Sequence, residues 1–395
     1  MDRLKVLALV TRLPVPPWRG DQVRSFHHLR LLAARHDVTV CAIVLGRADA
    51  RHAEAVRALG MRLEVVELGL VEAGLSLARV LVGDPRPLQV LLYARWRAMD
   101  RVAALLARER FDVVHAQLVR TAALWPPPGR PGVVLDLVDV LSANFERRAR
   151  RDRGLLAWVS GLEARRLRAT EEALARAAVA TLVVSEPERA HLPLPGVRVV
   201  PNGVDLSAFP LRTGDGVPGR IVFAGNLGYF PNVDAARWLA TEILPAVRAR
   251  VPAATLHLAG ARPGRAVRAL ATLDGVTLAA DVPQMAPEVA SGAVTVIPMR
   301  SGSGLQNKVL EAMAVGTPVV TTPQVAAALD VVAGEHLVLG EDTESLARAA
   351  GDLLAAPERA RAVARAGRRL VEERYRWEVS AQAVEAAWYA AAGSK

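Results

Sequence analysis

Lys308 and Glu311 stand one helical turn apart in the stretch IPMRSGSGLQNKVLEAMAVGTPVVTT, residues 297–322. That stretch runs from an apolar segment through a Ser-Gly-Ser-Gly loop into a helix, then through Gly-Thr-Pro to a second apolar segment. Lysine is scarce: Lys5, Lys308 and Lys395 are the only lysines among 50 basic residues. A helix that starts from a glycine loop turns free backbone N–H groups toward an anion, and an ammonium beside them adds a point charge. A carboxylate farther along can accept hydrogen bonds from hydroxyl groups such as those of a sugar. The anion side of such a site would be built from Arg300, Gly302, Ser303, Gly304, Leu305, Gln306 and Asn307. A plainer reading also fits: Ser303 and Gln306 form a capping box, and Lys308 and Glu311 form a surface ion pair.

Other segments carry chemistry-bearing residues at predicted strand ends. The segment from Ile221 to Asn232 runs a strand into Gly225, Asn226 and Gly228 before a helix begins near Asn232, giving a second glycine loop. Alone it fits a tight turn equally well; two such loops in one domain favour a nucleoside diphosphate. After the first strand, Gly20 permits close backbone approach, while Asp21 and Arg24 fit either a substrate loop or a turn with a helix cap. His115 closes a predicted strand, and Asp136 and Asp139 end the next one. They could meet a substrate or orient an acceptor hydroxyl, or they could be structural. No D-x-D triplet, histidine cluster, Gly-x-Ser-x-Gly elbow or P-loop is present, so metal-bridged phosphate, zinc, hydrolase and P-loop ATPase readings lose support.

These residues need a scaffold that brings strand ends together, and the pattern supplies one. Continuously apolar strands are predicted at 4–10, 38–44, 63–68, 113–115, 133–137, 181–185 and 197–200. A second series follows at 221–224, 255–259, 276–278, 294–297, 318–321 and 337–339. Helices lie between them, at 21–35, 50–59, 88–110, 142–178, 233–250, 265–270, 305–315 and 346–354, with a helical tail over 357–391. Such alternation predicts parallel sheets wrapped by helices. At 395 residues the chain exceeds one ordinary core. Residues 206–219, rich in Pro and Gly, are read as a linker between two α/β Rossmann-like domains that face each other across a cleft, with ligand at the strands' carboxyl ends.

Composition narrows the partners. Aromatic residues make up only 4% of the chain, which argues against base-stacking platforms and hence against nucleic acid. The net charge of +10 is compatible with anionic lipid or phosphorylated substrates. Residues 147–168, RRARRDRGLLAWVSGLEARRLR, mix arginines with Leu155, Leu156, Trp158, Val159 and Leu162. They read either as a basic amphipathic helix for peripheral membrane association or as a solvated helix with one face on the core. Cys41 is the sole cysteine, which suits a reducing cytoplasm. The first apolar stretch is interrupted by Arg12 and Pro14 and reads as a buried strand; no apolar run is long enough to span a bilayer.

Taken together, the chain resembles a retaining glycosyltransferase of the GT-B fold, family four, and more narrowly the bacterial subgroup found beside exopolysaccharide and exosortase systems. The resemblance rests on Arg12-Leu13-Pro14 with the segment Gly20–His27, on Phe111-Asp112-Val113-Val114-His115, and on Pro201-Asn202-Gly203-Val204-Asp205. Its most specific parts are the segments Phe223–Asp234 and Gln306–Ala314. It implies an acceptor domain over 1–205, a nucleotide-sugar domain over 220–370 and a last helix, 371–395, crossing back. It also implies no metal or other cofactor, a nucleotide-sugar donor, and a hydroxyl acceptor that is a lipid-linked glycan, a polysaccharide or a natural product. In such enzymes the residue at Glu311 binds the ribose, the one at His115 sits near the transferred sugar, and the Gly20 loop faces the diphosphate. Two departures stand out: Ser303 replaces a sugar-binding glutamate, and Asn226 and Pro231 replace two diphosphate-binding bases. Either Lys308 with Arg300 supplies the missing charge, or the transferase activity is weak or lost. A GT-B nucleotide-sugar epimerase and a non-enzymatic basic lipid- or polyanion-binding protein remain as alternatives.

Overall fold

The structure is a computed structural model that describes residues 2–69, 79, 83–127, 129, 131–301 and 304–393. The chain forms two compact units: residues 1–201 with 380–395, and residues 202–379.

The first unit is built on seven parallel strands: β1 Lys5–Val10, β2 Asp37–Leu45, β3 Arg62–Leu68, β4 Val113–Gln117, β5 Gly132–Val138, β6 Ala180–Val183 and β7 Val197–Val199. Their order is β3-β2-β1-β4-β5-β6-β7. The second unit holds six: β8 Val217–Ala224, β9 Thr255–Gly260, β10 Val276–Ala280, β11 Gly292–Ile297, β12 Val319–Thr321 and β13 Val338–Leu339, in the order β10-β9-β8-β11-β12-β13. The inner strands are apolar and buried along their length, as expected for parallel strands covered on both faces. Each order reverses once, between β1 and β4 and between β8 and β11. At such a point adjacent connections leave in opposite directions, and a crevice opens at the strands' carboxyl ends.

The helices depart from the sequence expectation where the backbone breaks. The stretch 88–110 divides into Leu88–Leu91 and Trp96–Arg108, with Arg95 in an extended conformation ahead of the second helix. Residues 142–178 form two helices, Leu141–Arg151 and Gly154–Ala177, with Asp152 extended and Gly154 at φ +59° between them. The helical tail likewise breaks after Arg374, where the Tyr375 carbonyl accepts from the Val204 amide at 2.7 Å. Residues 217–219, expected in the linker, already belong to β8. From Ser380 onward the helix Trp377–Gly393 packs into the first unit, where Ala381, Val384, Ala387, Trp388 and Ala391 join the core beside β1 and β2.

Candidate functional site

In the second unit the reversal point is built from glycine loops. β8 ends at Ala224, and Gly225 follows at φ +151°, a conformation that side chains rarely adopt. A Cβ there would lie 3.3 Å from Asn232 Nδ2 and in contact with Lys308 Cε at 3.4 Å, so the lysine packs directly over this backbone. The loop then closes on itself: Asn226 Oδ1 accepts from the Gly228 amide at 3.1 Å, and Asn232 Nδ2 donates to the Asn226 carbonyl at 2.9 Å.

Lys308 lies in the first turn of the helix Asn307–Val315 and its side chain turns inward. Its Nζ donates to Asn232 Oδ1, approaches Met299 Sδ at 3.8 Å just beyond β11, and sits 5.1 Å from the centroid of the Phe223 ring of β8. The ammonium therefore rests at the ends of β8 and β11. Among the described residues no carboxylate lies within ion-pairing distance of it. Glu311, one turn on, is half-buried, and among the described residues its carboxylate makes no hydrogen bond or ion pair. Burial pushes Lys308 down to about 8, partly opposed by Glu311, and pushes Glu311 up to about 7, partly opposed by Lys308.

The helix begins at Asn307 with Gln306 at the cap position and without a side-chain cap bond from Gln306; the capping box expected from Ser303 falls on a residue outside the described ones. Gly304, at φ +68°, breaks the helical path before it. Gly302 and Ser303 lie outside the described residues. Leu305 is buried, and Asn307 Oδ1 accepts from Asn202 Nδ2 at 3.1 Å, which ties the Pro-Asn-Gly segment to the helix start. Arg300 is held by Asp234 through two bonds of 3.1 and 2.7 Å and stacks 4.5 Å from the Trp238 ring centroid. Its charge is compensated, unlike that of Lys308.

The first unit places its expected residues differently. His115 does not close its strand: β4 continues to Gln117, and His115 faces Ala8 in mid-sheet, 4% exposed. Its Nδ1 accepts from Trp388 Nε1 at 3.2 Å, its Nε2 lies 3.9 Å from Asp136, and burial holds it down to about 4. Arg24 and Asp136, expected on the acceptor side, are completely buried and bonded to each other at 2.7 Å, with Arg24 also donating to the Val200 carbonyl at 2.8 Å. The second Asp136 oxygen accepts from the amide of Val138, a β-branched residue held at φ +62°. Asp136 thus shapes the end of β5 from within. Asp139 is half-buried, its carboxyl raised by burial and by Glu188. Asp21 lies inside the first turn of the helix Gly20–Ala33 and pairs with Arg12, while the cap position is Arg19. Gly20 is exposed, and a Cβ there would meet nothing within 4 Å.

Two residues that sequence reasoning passed over hold these loops. Gln117 ends β4 and donates to the Asp21 carbonyl at 3.0 Å, joining the ends of β4 and the Gly20 segment at the first unit's reversal point. Asn232 clamps both the glycine loop and Lys308. The sequence reads it as a helix start, and its only local signal is a polar side chain just past Tyr229-Phe230-Pro231. Among the described residues no group of three or more His, Cys, Asp or Glu side chains is placed to hold a metal ion.

Comparison with known proteins places both units. Residues 20–208 match the family described as Glycosyltransferase Family 4, and residues 218–356 match Glycosyl transferases group 1. No curated protein matches the sequence significantly. Among solved structures the chain is similar to Anabaena HepE in complex with UDP and glucose, at 13% identity and a TM-score of 0.68, covering 97% of this chain and 99% of that one. It is similar to the sucrose-phosphate synthase of Thermosynechococcus elongatus at 17% identity and a TM-score of 0.70, with 98% of each chain covered. WaaG, a glycosyltransferase involved in lipopolysaccharide biosynthesis, aligns at 14% identity and a TM-score of 0.66, over 97% of this chain and 99% of that one. At these identities the likeness speaks for the fold, which is GT-B.

Proposed function

We propose that this chain, a glycosyltransferase of the GT-B fold built from the two matched domains, moves a sugar from a nucleoside diphosphate to a hydroxyl acceptor with retention and without a metal. The observation that carries the reading is Lys308: an inward-turned ammonium at the β8–β11 reversal point, with no carboxylate neutralising it among the described residues. When the bond between the sugar C1 and the diphosphate oxygen breaks, its electron pair stays on the diphosphate. Lys308, the Asn226 amide and the amides of the Gly304–Asn307 segment stabilise that charge as it grows, while the amides of Gly225, Leu227 and Gly228 are already taken by Ala259, Ala261 and Asn226 and hold the loop. Such donors act without reorganising, because Gly225, Asn226 and Asn232 already fix the loop. Glu311, desolvated and without a hydrogen bond or ion pair among the described residues, accepts from the ribose hydroxyls. In the first unit Gln117 and Asp21 hold the Gly20 loop, while Arg24, Asp136 and His115 position the strand ends beneath it.

Anabaena HepE was solved with UDP and glucose, which makes UDP the first nucleotide to try. The test is a thermal-shift screen of UDP, GDP and dTDP, followed by product analysis of the matching nucleotide sugars with and without EDTA and with and without added acceptor. A stabilising nucleotide and an acceptor-dependent, EDTA-insensitive product with the donor's anomeric configuration are expected. Epimerised sugar nucleotide formed without acceptor would favour the epimerase reading. No stabilisation by any nucleotide would overturn both.

A further inference from the structure

The helices Leu141–Arg151 and Gly154–Ala177 pack on each other, and the tip of this hairpin is apolar and bare. The inward face of the second helix runs through Ser160, Glu163, Ala164, Leu167, Glu171 and Ala175. Leu156 extends that stripe by one more turn, past the point where there is any core to meet. Leu155, Leu156 and Trp158 are 74%, 69% and 61% exposed, and Val159 is exposed beside them. Consecutive exposed apolar side chains of this size mark a surface that meets another phase or partner.

Arginine surrounds the tip. Arg147, Arg148, Arg150, Arg151 and Arg153 are all exposed. Residues 147–168 carry eight arginines against two acids, Asp152 and Glu163. Glu163 is turned inward, accepting from the amides of Leu88 and Gln89 at 3.0 and 3.1 Å, so it does not offset the surface charge. An apolar wedge with an indole at its edge and a guanidinium collar matches the layering of a bilayer, where acyl chains lie beneath phosphates. Charge complementarity selects anionic headgroups.

We propose that the hairpin tip docks on an anionic lipid bilayer, with Leu155, Leu156, Trp158 and Val159 in the boundary between headgroups and acyl chains and the arginines on the lipid phosphates. This docking does not depend on sugar transfer, so the two readings fail separately.

Flotation of the full chain tests it, using vesicles of phosphatidylcholine alone and with about 30% phosphatidylglycerol. Binding is expected to be at least about tenfold stronger on the anionic vesicles and to weaken as salt rises. The combined variant Leu155→Ser, Leu156→Ser, Trp158→Ser should lose about tenfold or more in partitioning. Arg150→Ala with Arg153→Ala should bind more weakly and with less salt dependence. All five positions are exposed, and thermal melts confirm that the variants fold. The proposal is overturned if the parent chain does not float with anionic vesicles, or if the apolar variant floats as well as the parent. It is equally overturned if the parent fails to float and the apolar variant instead loses a self-associated form on sedimentation.

Discussion

Arg24 in the first unit and Lys308 in the second are both drawn in against the parallel sheets, but they are treated differently. Arg24 is completely buried and meets the carboxylate of Asp136 and the carbonyl of Val200. Its charge is spent inside the protein, holding helix Gly20–Ala33 to β5. Lys308 is only half-buried and meets an amide oxygen, a thioether and a ring face, none of which carries a full negative charge. A cation balanced by a buried carboxylate stabilises a fold; one left with neutral dipoles is poised for an anion from outside. Arg300, matched by Asp234 and stacked on Trp238, falls with Arg24 on the structural side.

The sharpest way to break this contrast is to remove one partner of the buried pair. Asp136→Ala strands the Arg24 guanidinium and should cost about 3–5 kcal/mol in denaturant unfolding. Nucleotide affinity of the folded fraction should be unchanged, and a loss of affinity without a loss of stability would reverse the assignment. Lys308→Met should do the opposite, lowering turnover by about 10²-fold or more while leaving stability the same or higher. Turnover near the parent level would remove Lys308 from the chemistry. Gly225→Ala places a methyl against Lys308 and Asn232 at a backbone angle that resists it. A cost of about 1–3 kcal/mol, felt as weaker nucleotide binding in calorimetry, is expected.

The smallest effect concerns pH. Lys308 carries its proton below about 8 and loses it above, so diphosphate binding should weaken as pH rises through that value. Glu311 ionises only above about 7, so its hydrogen bonds to hydroxyls should weaken as pH falls through that value. Affinity should therefore peak between the two, with changes of at most about tenfold per pH unit on each limb. Glu311→Gln should flatten the acid limb and Lys308→Met the alkaline one. A profile with both limbs intact in either variant would show that other groups titrate.

The strands were legible in the sequence because parallel strands buried on both faces read as unbroken apolar runs; each of the thirteen overlaps its predicted span. Lys308 was legible because lysine is rare in this chain and because glycines precede it. Arg24, Asp136 and His115 were misplaced at a rim for a physical reason. A charged residue in an apolar strand suggests a strand end unless its partner is known, and here the partners lie 112 and 273 residues apart, Arg24 on Asp136 and Trp388 on His115. Helix breaks escaped for a related reason: Gly154 and Tyr375 interrupt patterns whose apolar period continues on either side. Gln117 carried no local signal, since its contact with Asp21 exists only once β1 and β4 lie side by side.

The helix Trp377–Gly393 gives the first unit an unusual assembly order. Ser380 bonds to His28 and to the Pro201 carbonyl, Glu385 bonds to His36, and Trp388 covers His115. A ribosome releases residues 202–379 before it supplies these side chains. Until then His28, His36 and His115 wait uncovered, and the second unit, contiguous in sequence, can complete itself first. The half of the molecule that is translated earlier is the half that is sealed last.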